Sequence, residues 1–408
     1  MKGPVIIAMN HPNAFMDPSA LTYVAYPPRL KYLARGDAFK PGLISWLLEQ
    51  IGIVPIFRIQ DGGREGLKKN DEAYRRVNYL LKKNAKVMVF AEGLCIQERR
   101  LRPLKKGVAR MVFGAYEYLG NDKLVVVPVG VNYSKADKFR STLFYNIGEP
   151  IPVKDFIGAY QQNPAKGQNI FLQALEPKMK ELITHIENKE NDNVVYFYED
   201  LCKKDLIRSK GLNYKNLSHD FDVLNEMTER VNATAKTNQA LLDEFKEKAS
   251  AYFSELREAG LRDWIINPNQ NKYVSPFFLV LRYLLLLIGF PIYVLGMIGN
   301  FPPLIAAHKI TKKIIKFKEF YASIALGLGI FLFLFNYLIW FFVVYAFSPN
   351  IFWPILVCLS LGLSGWFCLY YHPFALKTFG IARALKNKAL AEQLSRKREF
   401  LLSLINRF

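Results

Sequence analysis

Two hydrophobic rhythms divide the chain. Up to about residue 160, short apolar runs alternate with stretches of helical period. Val5-Ile6-Ile7-Ala8-Met9 is apolar at every position and is bounded by Pro4 and Asn10-His11-Pro12, the pattern of a strand buried on both faces. Residues 51–59, 86–90 and 124–131, rich in Val and Ile, read as further strands. Asp17-Pro18 opens a helix, and 72–82 and 106–118 carry helical periodicity between the strands. Strands alternating with helices predict an α/β fold with a mostly parallel sheet flanked by helices. Residues 164–189 then place Leu172, Leu175, Met179, Leu182 and Ile186 on one helical face. Residues 215–260 predict a long amphipathic helix or a helical hairpin, with an apolar stripe running from Phe221 to Leu256.

The second rhythm is unbroken apolarity. From 320 to 376 no Asp, Glu, Lys or Arg occurs. A helix crossing a hydrocarbon core needs about 20 apolar residues. The run therefore predicts two transmembrane helices, about 320–347 and 351–372, with Ser348-Pro349-Asn350 as the turn. A third apolar stretch, 274–307, contains Arg282 and is interrupted by Gly289, Pro291, Gly296 and Gly299. It is expected to be a re-entrant or interfacial hairpin, broken at Gly289-Phe290-Pro291. Residues 308–318 hold five lysines and no acid, and 377–408 hold eight basic residues and two acidic ones. Such segments collect on the cytoplasmic side, so the N-terminal part is expected to face the cytoplasm. The resulting organisation is a first domain over 1–195, an amphipathic helical region over 196–272, a membrane region over 273–376, and a basic tail over 377–408. The amphipathic stripe is assigned to packing against the membrane-proximal body. No cleavable signal peptide is read from Met1-Lys2-Gly3-Pro4, which leads straight into the first apolar run.

Composition narrows the class. The 408 residues carry 55 Lys and Arg against 35 Asp and Glu, a formal net charge of +20, and 51% are hydrophobic. A disordered chain lacks that much apolar surface. Cys95, Cys202, Cys358 and Cys368 are far apart without a CxxC pair, so neither a disulfide framework nor a zinc ribbon is indicated. The charge suits anionic partners, and no recognition helix or stacking motif directs it towards nucleic acid.

The segment richest in chemistry is Asn10-His11-Pro12-Asn13-Ala14-Phe15-Met16-Asp17-Pro18, a histidine at a strand end with a carboxylate one short turn later. Ligands of α/β sheets bind at the carboxyl ends of strands. A neutral imidazole there can take a proton from a hydroxyl, and a carboxylate can fix its tautomer and stabilise the imidazolium. Taken alone, the same residues also suit a helix cap with proline at the first helical position. Three further segments add to the pattern. Arg58 ends the apolar run begun at Gly52, Glu92-Gly93 follows Phe90-Ala91, and Val125-Val126-Val127-Pro128 closes a third strand with proline. Between the last two, Leu101-Arg102-Pro103-Leu104-Lys105-Lys106-Gly107-Val108-Ala109 is basic at a helix start, where phosphate binds. Lys105 suits such an anion and equally suits a solvated helix start. The other four histidines read as structural. Cys95 has no histidine near it in sequence to activate it.

In this order the blocks resemble those of the glycerophospholipid acyltransferase family, most closely its glycerol-3-phosphate/dihydroxyacetone-phosphate acyltransferase branch, whose third block continues into a similar PLK-x-GVA segment. Lys138-Phe139-Arg140-Ser141 and Gly148-Glu149-Pro150-Ile151 look like the family's downstream strand pair. The resemblance covers roughly residues 1–200 and says little about the rest. Five residues separate His11 from Asp17 where the family has four, Ala91 stands in place of a proline, and Leu94 in place of a Ser or Thr. The chain starts almost on its first strand, so a membrane-dipping N-terminal helix is expected to be missing or truncated. The resemblance implies a membrane-bound O-acyltransferase of phospholipid biosynthesis. His11 would be the general base and Asp17 would orient it, while Arg58, Glu92, Gly93 and Lys105 would hold the acceptor. The implied donor is acyl-CoA or acyl-carrier protein, and the acceptor glycerol-3-phosphate or its 1-acyl derivative, at a lipid membrane. No metal or cofactor is implied. A catalytically degenerate adaptor that docks on anionic lipid is the alternative.

Overall fold

The run Val5–Met9 forms strand β1, and its neighbours explain why each position is apolar. In the computed structural model, which describes residues 3–24, 30–36, 42, 46, 52–56, 59–120, 122–138, 140–269 and 275–408, β1 pairs in parallel with β4 (Lys86–Phe90) on one side and β5 (Val125–Tyr133) on the other. With β2 (Leu30–Arg35), β3 (Ile53–Ile56), β6 (Leu143–Ile147) and β7 (Ile151–Pro152) the strand order is β3-β2-β4-β1-β5-β6, and β7 also pairs β5. The first five strands are parallel, and β6 and β7 are antiparallel to β5. The mostly parallel sheet is thus as expected.

The chain forms two compact units, one of Met1–His185 with Phe317–Ser323, the other of Ile186–Lys316 with Ile324–Phe408. In the first, alternate side chains of each strand enter opposite cores, as the two-residue period requires. Ile6, Ala8, Val87, Val89 and Val126 face α2 (Ile59–Lys82), α3 (Lys106–Leu119) and, beyond the short α4 (Ile157–Gln162), α5 (Pro164–Lys180), from which Val77, Phe113 and Phe171 are fully buried. Val5, Ile7, Met9, Met88, Val127 and Val129 face the other way, with Leu21 of α1 (Met16–Val24). Each Val, Leu, Ile, Met or Phe among them contributes about 1.5–3 kcal/mol on burial.

Two features differ from expectation. β2 is an additional strand whose sequence, LKYLAR, carries too much charge to stand out. Pro128 lies inside β5 rather than at its end. β6 pairs residues 129–133 and β7 pairs 125–126, so Pro128 falls between the two pairings, where its missing N–H costs no ladder bond. β5 is thereby free to run on to Tyr133. Further along it, Gly130 admits the chain after α5: a Cβ there would lie 2.0 Å from the Leu182 carbonyl oxygen.

In the second unit α6 (Asp192–Ser209), α7 (Leu217–Thr237), α8 (Gln239–Glu258) and α13 (Lys388–Ile405) share one core, in which Val194, Val231, Leu242, Phe245, Ala249 and Leu394 are completely buried. Of the two forms expected for 215–260, the hairpin is found. Asn238 closes α7 and caps α8, its Oδ1 accepting the Leu241 N–H at 3.2 Å. Ile186 belongs to this core, so the helical unit begins before the boundary at 195 read from the sequence.

Among the described residues, three helices are long and apolar enough to cross a membrane: α10 (Pro276–Ile314), α11 (Tyr321–Phe347, preceded by a short 3-10 turn) and α12 (Phe352–Lys386). The turn between the last two falls at 348–351, as expected. The break expected at Gly289-Phe290-Pro291 is absent, and α10 runs through it. Its glycines are contact points, not breaks. A Cβ on Gly289, Gly296 or Gly299 would lie 2.8, 2.5 or 2.4 Å from Tyr371, Cys368 or Leu361 of α12. Small residues of this kind let two helix backbones approach. Asn300 adds a polar tie, its Nδ2 donating to the Leu361 carbonyl at 2.9 Å.

The C-terminal helix is pinned by one buried cation. Arg398, 4% exposed, donates from Nε to Asp263 Oδ1 of α9 (Asp263–Ile266) at 3.0 Å and from Nη2 to the Leu201 carbonyl at 2.9 Å. Tyr252 Oη donates to the same Asp263 oxygen at 2.8 Å. Burial raises the Asp263 pKa, and the Arg398 charge opposes that rise. Removing the cation strands a buried carboxylate, so Arg398→Met is expected to cost about 3–5 kcal/mol. Denaturant unfolding of the detergent-solubilised chain, followed by tryptophan fluorescence, measures it.

Candidate active site

β1 and β4 are neighbours, with Met9 opposite Phe90 at their carboxyl ends. The chain leaves β1 towards β2 and leaves β4 towards β5, in opposite directions across the sheet. Such a switch point opens a crevice where α/β sheets take ligands. His11 and Glu92 both lie just beyond these two strand ends.

His11 Nδ1 is 2.8 Å from Asp17 Oδ2. The contact is made across five intervening residues because the loop folds back on Asn13. The Asn13 carbonyl accepts the Met16 N–H at 2.9 Å, and Ala14 takes a left-handed φ of 29°. Asp17 is completely buried. Its Oδ2 also accepts the Asn13 N–H at 2.9 Å, and its Oδ1 accepts Tyr133 Oη–H at 2.7 Å. Tyr145 Oη donates to the Asp17 main-chain carbonyl at 2.6 Å. An ionised carboxylate only accepts, so this partner assigns the imidazole proton to Nδ1 and leaves Nε2 as the acceptor. The ring stacks on Phe90 with centroids 3.6 Å apart, and its side chain remains 16% exposed. Asn10 continues the β1–β5 ladder with its side chain: Nδ2 donates to the Val131 carbonyl at 3.1 Å and Oδ1 accepts the Val131 N–H at 2.7 Å.

Glu92, 6% exposed, accepts the Arg102 N–H at 3.2 Å and also a hydrogen bond from the His11 main chain. It thus ties the β1 and β4 loops together. Ala91 donates its N–H to the Met9 carbonyl at 3.0 Å, a bond that a proline at this position could not make. Gly93 has a φ of +64°, and a Cβ there would come within 3.0 Å of Lys105 Cγ. Lys105 is the N-cap of α3 without a side-chain capping bond, and its N–H donates to the Ala91 carbonyl at 2.9 Å. The structure therefore brings together His11, Asp17, Glu92, Gly93 and Lys105. Arg58 lies outside the described residues. Among the described residues, no three His, Cys, Asp or Glu side chains are grouped to hold a metal ion.

Residues 1–132 match the family model described as Acyltransferase. The match takes in the N-terminal 132 of the 408 residues. The chain is 26% identical over 243 residues to glycerol-3-phosphate O-acyltransferase 1 of Saccharomyces cerevisiae, a match covering 59% of this chain and 31% of that protein. It is 36% identical over 96 residues to the same yeast's glycerol-3-phosphate O-acyltransferase 2, covering 23% of this chain and 13% of the relative. It is 28% identical over 104 residues to the chloroplastic 1-acyl-sn-glycerol-3-phosphate acyltransferase BAT2 of Brassica napus, covering 26% and 28%. The chain thus spans less than a third of the length of each of these relatives.

Tyr133 and Tyr145, just beyond the matched residues, are site residues that sequence reasoning missed. Burial, with the Asp17 charge beside them, raises both phenol pKa values, so they stay protonated as donors. Only the antiparallel pairing that sets Val131 opposite Tyr145 brings these rings to Asp17. The one local signal was the Asn-Tyr ending of the β5 run. Cys95 Sγ accepts the Ala14 N–H at 3.1 Å. Burial, helped by Asp17, Glu319 and Glu92, pushes its thiol up to about 12. At neutral pH it is a thiol, not a nucleophilic thiolate.

Burial also pushes the Glu92 carboxyl up from 4.5 to about 7, against the opposing main-chain donors of Arg102 and His11. The folded state therefore holds this proton more tightly than the unfolded chain. The stability it contributes is full below pH 4.5 and is lost as pH rises through 7. Glu92→Gln is expected to remove a loss on the order of 3 kcal/mol across that window. Denaturant midpoints at pH 5 and pH 8 on both proteins read it directly.

Proposed function

We propose that the chain is a membrane-bound O-acyltransferase that moves an acyl group from a thioester to a hydroxyl of glycerol-3-phosphate or 1-acyl-glycerol-3-phosphate, in glycerolipid synthesis. The observation that carries this reading is the His11–Asp17 pair at 2.8 Å, with the ring only part-buried at a switch point of the sheet. The named activities of the yeast and plant relatives supply the substrate class.

His11 Nε2 takes the proton of the acceptor hydroxyl as the oxygen attacks the thioester carbonyl. Asp17 keeps Nδ1 protonated and stabilises the imidazolium. When the tetrahedral intermediate collapses the C–S bond breaks, the ester remains on the acceptor, and the imidazolium returns its proton to the leaving thiolate. A positioned base of this kind contributes about 10²–10⁴-fold. Alignment of the two substrates supplies much of the rest. Arg58 is assigned to the acceptor phosphate, with Lys105 and the N-terminus of α3 as further anion partners. Glu92 and Gly93 shape the acceptor side. The net charge of +20 favours an anionic acceptor, an anionic donor carrier and acidic lipid.

The catalytic unit is assigned to the cytoplasmic face. Support comes from Phe317–Ser323, which joins two apolar helices yet folds within the unit that carries His11. The five lysines of 308–318 just before it favour the cytoplasm.

The decisive measurement is thiol release from acyl-CoA in membranes, dependent on glycerol-3-phosphate or its 1-acyl derivative. His11→Ala is expected to lower it by at least about 10²-fold with membrane insertion unchanged, and undiminished turnover would leave the degenerate adaptor as the better reading. Arg58→Ala is expected to raise KM for the phosphorylated acceptor and leave that for the donor alone. For orientation, Ile310→Cys in sealed cells is expected to resist an impermeant thiol reagent, and ready labelling would reverse the assignment.

A further inference from the structure

Between Asp263 and Glu392 the chain contains a single carboxylate, Glu319. It follows a lysine-rich stretch and precedes α11, where an exposed glutamate would be expected to pair with a neighbouring lysine. Instead it is buried, 8% exposed, and belongs to the unit formed by Met1–His185 and Phe317–Ser323. Its Oε1 accepts the main-chain N–H of Gln97 at 3.4 Å.

Gln97 lies in the loop between Phe90 and Lys106, and that loop is bound to the histidine segment at three residues. Glu92 accepts from the His11 main chain, Cys95 Sγ accepts the Ala14 N–H at 3.1 Å, and the Ile96 N–H donates to the His11 carbonyl at 3.0 Å. The Ile96 and Gln97 amides are consecutive. One holds the carbonyl of His11 and the other is held by Glu319. A displacement of the Glu319 carboxylate is therefore passed through one peptide unit to the residue that carries the imidazole.

We propose that Glu319 is a positioning residue for His11, by which the connector between two apolar helices holds the catalytic loop in place. It touches no reacting atom and acts through Gln97 and Ile96. Taking a buried carboxylate out of water is costly unless donors satisfy it. Placing the only acid of this region on a catalytic-loop amide makes the connector part of the active site's support. The proposal deepens the acyltransferase reading and rests on it for its kinetic test, though not for its structural one.

The kinetic test uses the full chain in lipid nanodiscs. Glu319→Ala removes the acceptor and is expected to lower kcat about tenfold while both KM values stay within about twofold, since a small misplacement of a base costs rate more than binding. Glu319→Gln keeps an oxygen at the same reach and is expected to retain about half of kcat or more. Glu319→Asp withdraws the carboxylate by one methylene and is expected to fall between them. A Gln variant as slow as the Ala variant, or an Asp variant as fast as the wild type, overturns the proposal. Hydrogen exchange supplies the test that does not depend on chemistry. The amides of Ile96 and Gln97 are expected to be protected in the wild type and to exchange at least about tenfold faster in Glu319→Ala, with the β1 amides unchanged. Equal exchange in the two proteins overturns it even if acyl transfer is confirmed. An inactive wild type would count against the acyltransferase reading alone.

Discussion

The site is organised around a carboxylate that has no access to water. Asp17 is completely buried, and a buried charge is tolerated only where donors replace its hydration. Three converge on its carboxyl group: the His11 ring, the Asn13 main chain and the Tyr133 hydroxyl. A fourth, from Tyr145, holds its main-chain carbonyl. The partners of the charge come from the β1–α1 loop and the end of β5, which must be assembled in register, and β6 adds the donor to the main chain. The stretch of β5 beyond Pro128 supplies Tyr133, and the antiparallel β6 supplies Tyr145.

Asp17 and Glu92 lie beyond adjacent strand ends and are treated differently. Asp17 is met by side-chain donors of tyrosine and histidine as well as by the main chain. Glu92 receives main-chain hydrogen bonds from Arg102 and His11 and is pushed up to about 7 by burial. One carboxylate is built to fix a ring. The other ties two loops, and its charge state changes within the neutral range. Two acids separated by environment in this way are a recurrent feature of catalytic clefts.

The fold was legible where a single period dominates. β1 and β4 were read to the residue from Val5–Met9 and Lys86–Phe90, because both faces of a central parallel strand must be apolar. The turn between α11 and α12 was legible from Ser348-Pro349-Asn350 within the charge-free run. The histidine–carboxylate pair was legible because its partners are six residues apart in one loop. Tyr133 and Tyr145 were not, because sheet pairing, which has no local pattern, brings them to Asp17. The glycines of α10 were misread for a related reason. Within one helix they look like breaks, and only the facing surface of α12, with Tyr371 and Leu361 in the space a Cβ would fill, shows them as contacts. β2 escaped notice because Lys31 and Arg35 interrupt its apolar positions.

Under the proposed function, a base that must meet a lipid substrate faces opposing needs. It has to be held rigidly, which favours burial, and it has to remain reachable. The structure separates these along one side chain. Nδ1 is turned inward to a completely buried carboxylate, one face of the ring is covered by Phe90 at 3.6 Å, and the 16% of the side chain left exposed is what a hydroxyl can approach. The main chain of His11 is gripped as firmly as its ring, through its carbonyl by Ile96 and through its amide by Glu92. The loop supplying both grips also meets the one acid of the membrane connector. Under the two proposals, rigidity at His11 is drawn from the sheet on one side and from the connector on the other, and Nε2 is the ring nitrogen turned away from Asp17.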